Sequence, residues 1–229
     1  MALADYTYIV TLGQACTVNF QLARAAGIHR IAPRTCMGPF DWLFLNVAQA
    51  HECIEGDFAE YFRHRTTYPS KVQNPVDCWR MTDGYGITTA HQVLRFESET
   101  EPLPEAWLEF GKWIGRRLES WETRIRDERG KILFLRLEAT WQRDDPRQIA
   151  RLVELLRSKV AGSLSFAWIR YEPEQSPPAL EDSSISIHYV RKSWPAHFSE
   201  HQIHWMRDYG SGLAWRGHDG DWDRVFASL

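Results

Sequence analysis

The sequence predicts an α/β fold: a single domain, residues 1–229, with a mostly parallel or mixed open sheet flanked by helices. Three observations carry that expectation. The run YTYIVTL from Tyr6 is rich in β-branched and aromatic residues, and a helical spacing of apolar residues follows it directly. Residues 132 to 171 read strand, helix, strand, the βαβ unit that calls for parallel strands and a right-handed crossover. The composition, 44% apolar and 25% charged over 229 residues, is that of a packed globular domain with enough chain to bury a core.

Each element has its own warrant. Gly13 breaks the first strand, and Val18, Phe20, Leu22, Ala25 and Ala26 then fall at helical spacings until Gly27. Pro39 suits a helix start, with Asp41 in the first turn and Trp42, Leu43, Leu45, Val47 and Ala48 as the buried face. A second helical stretch is expected from His51 to Phe62, followed by a proline-bearing, loop-rich segment from Thr66 to Gly84 that can hold short strands. Tyr85 to Phe96 has the composition of a strand or hairpin arm. The strongest helix is expected from about Glu105 to Arg126, where Trp107, Phe110, Ile114, Leu118, Trp121 and Ile125 recur every three or four residues. ILFLRLEA from Ile132 reads as a buried strand, and Asp144, Asp145 and Pro146 cap the next helix. Its inner face is Ile149, Leu152, Val153, Leu156 and Val160, and strands from Ser163 and Ser184 follow.

Several function classes are excluded at this level. A net charge of −3 with mixed signs and no basic tract argues against a nucleic-acid partner. No apolar run approaches the length of a membrane span, and MALADYTYIV has neither a basic nor a long apolar region, so no signal peptide is expected. Cys16, Cys36, Cys53 and Cys78 lack CxxC spacing and read as reduced thiols in a cytoplasm.

Cys16 is the cysteine placed for chemistry. It falls at the junction of the first strand and first helix, where unpaired backbone N–H groups and the positive end of the helix dipole stabilise a thiolate. The plain alternative is a buried cysteine acting as a small hydrophobe. In open sheets, sites form beyond the carboxyl ends of strands, and Arg136 and Glu138 end a strand as Cys16 follows one. One rim can hold all three, with Arg136 and Glu138 as substrate-binding candidates.

These residues belong to a wider pattern. LGxxC (Leu12, Gly13, Cys16), then Phe20, Gln21 and Leu22, then PFDWL (Pro39 to Leu43), resemble the opening motifs of a bacterial family described as papain-like cysteine peptidases. The resemblance continues through Asp57, Phe58 and Phe62, YGI…H (Tyr85 to His91), Arg116 and Arg117, ILFLR (Ile132 to Arg136) and the closing WDRVF. It implies a nucleophile at Cys16 and a histidine base at His91, which would convert the thiol to an ion pair and return the proton to the leaving group. Asp41 would orient that histidine or lock its own loop, and Gln14 or the backbone N–H groups around Cys16 would form an oxyanion hole. Because Cys16 follows a strand, the resemblance carries the Cys–His chemistry and not the papain topology.

HFSEH, with His197, His201 and His204 at helical spacing, is the competing constellation, a possible zinc site with Glu200 as base. His188, on the polar side of its strand, is a second candidate base. The leading expectation is a cysteine-dependent hydrolase or acyl transferase acting on a peptide, protein or amide substrate, with no cofactor. The alternatives are a non-catalytic protein- or glycan-binding domain and a zinc hydrolase.

Overall fold

Two four-stranded sheets organise the chain in the computed structural model, which describes residues 3–13, 15–29, 31, 33–41, 43–63, 65–70, 78–89, 104–138, 143–171, 182–191 and 218–229. The α/β class holds, with the parallel and antiparallel strands sorted into separate sheets.

The parallel sheet consists of β1 (Tyr8–Thr11), β6 (Lys131–Leu137), β7 (Ser163–Tyr171) and β8 (Ile185–Val190), in that spatial order. Both faces are covered, which is why β1 and β6 read as continuous apolar runs rather than alternating ones. On one face Ile9, Leu133, Leu135, Ala167 and Ile169 meet Val18, Leu22 and Ala25 of α1 (Ala15–His29). Trp222, Val225 and Phe226 of α5 (Asp219–Ser228) complete that layer. On the other face Tyr8, Val10, Ile132, Phe134, Phe166 and Trp168 pack under α4 (Pro146–Lys159) and α3 (Pro104–Ile125). Ile149, Leu152, Val153 and Leu156, the expected inner face of α4, are all fully buried, and Asp145 caps that helix by accepting from Arg147 N–H.

The antiparallel sheet has the order β2 (Leu43–Phe44), β5 (Thr88–Thr89), β4 (Cys78–Thr82) and β3 (Thr66–Ser70). Its Leu43 and Met81 join the same core cluster as α3 and α4.

Three expectations are corrected here. Residues 39–41 form a turn rather than a helix start, and α2 begins only at Val47 (Val47–Glu55). The reason is local: Asn46 and Gln49 make a reciprocal capping box that fixes the helix start after the short strand β2. The second helical stretch stops at Glu55, with Gly56 as its C-cap. Asp57, Phe58 and Phe62 then adopt left-handed φ angles of 47°, 60° and 51°. Phe58, Tyr61 and Phe62 still turn inward, in an aromatic chain that stacks Phe58 on Phe40 and meets Phe110 and Trp121 edge-on. Gly27 does not end α1, which continues to His29 and is followed by a 3-10 turn, η2 (Pro33–Cys36).

Candidate functional site

Gly13 is the residue on which the β1–α1 junction depends. It has φ of +79°, and a β-carbon there would lie 2.8 Å from Leu45 Cγ, so the tight turn out of β1 excludes other side chains. The chain then enters α1 at Ala15, and Cys16 is the second residue of the helix, as its sequence position predicts. It therefore occupies the N-terminal turn of a 15-residue helix, where backbone N–H groups lack intrahelical acceptors.

One turn after Cys16, Asn19 is buried, and its amide oxygen lies 3.3 Å from Thr11 Oγ1. Thr11, the last residue of β1, donates to Asp41 Oδ1 at 2.8 Å. Asp41 Oδ2 accepts from Gly38 N–H at 2.9 Å, closing the 38–41 turn against β1. The carboxyl is only 2% exposed. Burial pushes its pKa up to about 7, against the opposing pull of Arg117, Thr11 and Gly38 N–H. Arg117 comes from α3, with Nε 3.9 Å from Asp41 Oδ2 and the guanidinium 3.8 Å above the Trp113 ring. Cys36 of η2 belongs to the same neighbourhood, and burial with the nearby Asp41 charge pushes its thiol up to about 12. The Tyr8 hydroxyl donates to Met37 O at 2.8 Å, and burial raises its pKa.

At the other end of the rim, Arg136 is 1% exposed and holds β1 to β6. Its Nε and Nη2 make a two-pronged pair with Asp144, each at 2.8 Å. Its Nη1 donates to Leu12 O at 2.7 Å and Leu45 O at 2.9 Å. Glu138 accepts from Asp144 N–H and from Arg170 Nε, both at 3.0 Å. Arg136 and Glu138 therefore stand at the rim with the segment leading to Cys16, engaged in interior bonds.

Gln14, His91, His197, His201 and His204 lie outside the described residues. β5 ends at Thr89, two residues before His91, and pairs with β2, which begins two residues after Asp41. Among the described residues no group of histidine, cysteine and acidic side chains could hold a metal ion, and no helix is long and apolar enough to cross a membrane. His188 lies between Ser186 Oγ at 2.8 Å and Ser228 Oγ at 3.3 Å, and burial lowers its pKa.

No local pattern in the sequence singles out Thr11, Asn19 or Gly38, whose roles arise from contact between β1, α1 and the 38–41 turn. Arg117 carries a weak signal, as one of two consecutive arginines on an otherwise amphipathic helix. Comparison with protein-family models, curated proteins and solved structures finds no match for this chain.

Proposed function

We propose that the chain is a cysteine-dependent hydrolase or acyl transferase that cleaves a peptide or amide bond, with Cys16 as nucleophile and His91 as base. The observation that carries this reading is the position of Cys16 in the first turn of α1, directly beyond the carboxyl end of a buried parallel strand. A thiol near its ordinary pKa is only a few per cent thiolate at neutral pH, so the helix N-terminus and an adjacent imidazole are what the chemistry requires.

The steps follow from that. The imidazole takes the thiol proton, and the thiolate sulfur attacks the substrate carbonyl carbon. The developing oxyanion is received by Gln14 or by backbone N–H groups at the start of α1. Collapse breaks the C–N bond, the imidazolium returns its proton to the leaving amine, and a thioester remains on Cys16. Water or an acceptor amine then resolves the thioester, with the imidazole again removing the proton. Thr11, Asn19 and Asp41 hold the strand end, the helix and the 38–41 turn in one rigid frame around this centre. The compartment we assign is the cytoplasm, where the free thiols Cys36 and Cys53 would remain reduced.

Iodoacetamide alkylation of Cys16 against pH, in the parent protein and in His91→Ala, tests the reading. A thiolate that titrates well below the free-thiol value and reverts in the variant is the expected result. Slow alkylation with an ordinary or raised pKa in both proteins would remove the nucleophile and leave a binding domain in which Cys16 is structural.

A further inference from the structure

Most interior arginines of the described residues have their donors committed. Arg136 is bound by Asp144, Leu12 and Leu45, Arg170 by Glu138, and Arg24 by Gln21 and Asp223. Arg117 is the exception. Its side chain is 11% exposed, yet Nε is buried without a hydrogen-bond partner, and the nearest carboxylate oxygen, on Asp41, is 3.9 Å away. That separation is beyond a hydrogen bond, and unmade buried donors are rare because desolvation is not repaid. Trp113 supports the guanidinium from one side, with Cζ 3.8 Å from the ring centroid, which leaves the fork of N–H groups as the means of recognition.

We propose that Arg117, held over Trp113, is the receptor for a carboxylate, and that the substrate presents a free carboxylate group to it. The planar fork matches a planar oxyanion, forming two parallel N–H···O bonds. A monoanion suits the site better than phosphate, because Asp41 stands beside Arg117 and would repel a second negative charge. The receptor is linked to the reacting centre through Asp41, Thr11 and Asn19, one turn beyond Cys16. Its meaning as a substrate subsite rests on the function proposed above; the binding itself does not.

Binding has a proton signature. A carboxylate arriving at Arg117 places negative charge near Asp41 and favours the protonated form of that acid. Among the described residues, the other titratable groups facing Asp41 are Tyr8 of β1, Tyr61 of the turn after α2 and Cys36 of η2, all raised by burial. These stay neutral across the physiological range, and Arg117 stays charged although burial lowers its pKa. Asp41 is therefore the group that takes up the proton.

The test is calorimetric titration of the full chain with N-acetyl-alanine and with its carboxamide, alongside inorganic phosphate. The acid is expected to bind saturably, about tenfold or more tighter than the carboxamide, and more tightly at about pH 6 than at about pH 8. Arg117→Gln should abolish binding, whereas Arg116→Gln on the exposed side of α3 should not change it. If Arg117→Gln does not fold, Arg117→Lys keeps the charge without the fork and should weaken the acid about tenfold with an unchanged near-UV circular dichroism spectrum. Equal affinity for acid and carboxamide, no saturable binding of the acid, or undiminished binding in a folded Arg117 variant overturns the proposal. Phosphate binding tighter than the acid overturns the carboxylate assignment. The same titration in Cys16→Ala separates the two readings: retained binding there leaves the receptor standing even if alkylation removes the nucleophile.

Discussion

Asp41 shows how burying a carboxyl group almost out of water ties its protonation to the fold. Its two oxygens accept from Thr11 and Gly38, and Arg117 supplies positive charge, yet burial dominates and its pKa rises from 3.8 to about 7. The native state therefore keeps a proton that the unfolded chain releases near 3.8. The stability contributed by the protonated acid is fully present below 3.8 and is lost as pH rises through about 7. Urea unfolding of the parent between about pH 5 and about pH 8 should show a stability decline that Asp41→Asn lacks in large part. Asp83, raised by burial to about 6, adds a smaller slope of the same sign, which Asp83→Asn should remove independently. Arg136 poses the opposite case, a buried charge with every partner in place. Asp144→Ala would leave that guanidinium unpaired and should cost about 3–5 kcal/mol, read from the shift in the urea midpoint at unchanged slope.

At the scale of elements, the β1–α1 junction depends on a glycine more than on any contact. Gly13→Ala meets both a left-handed φ and the Leu45 side chain. It should destabilise by more than about 1 kcal/mol and, in the alkylation assay, slow Cys16 by displacing the start of α1. This junction was readable from residues alone because a β-branched run, a glycine and a change of period occur within a dozen positions. So was α4, where Asp145, Pro146 and five apolar residues at helical spacing agree. The PFDWL stretch was not readable. Trp42 to Ala48 fits a helical pattern, but Leu43 and Phe44 pair with Thr89 and Thr88, and the carboxylate that suits a helix N-terminus bonds to β1 instead. A strand of two residues leaves no periodicity to detect, and a cap at Asn46 outweighs the earlier start signal. The candidate site divides the same way: Cys16 and Asp41 carry sequence signals, whereas Thr11, Asn19 and Trp113 acquire their roles only through tertiary contact.

Over the whole molecule, the C-terminal helix closes one face of the parallel sheet through charge as well as packing. Asp221 is fully buried and accepts from the backbone and side chain of Arg191 just past β8. Arg191 holds its carboxyl well below the usual range. Asp219 and Asp223 are tied to Gln21 and Arg24 of α1, so α5 bridges the first helix and the last strand. Asp221→Ala should cost about 1.5–3 kcal/mol and make residues 219–229 the first to be cut in limited proteolysis, ahead of any loss of the β6–β7 core.

The pairing of β1 with β6 has a consequence for how the protein is made. Leu12 and Arg136, which bond directly, are 124 residues apart in the chain. At about 5–20 residues per second, β1 waits roughly 6–25 s on the ribosome before its strand partner β6 is synthesised. Its four residues are buried on both faces in the finished sheet, so the nascent chain carries them as an unsheltered apolar segment throughout that interval. The β6–α4–β7 unit can form from local contacts as soon as it emerges, and β1 docks onto its edge afterwards. Stalled chains ending shortly before residue 131 should therefore hold an α1 start with no strand to anchor it. On that ordering, raised thiol reactivity at Cys16 is expected only once β1 has docked on β6, and alkylation of arrested chains of increasing length would reveal it as a step.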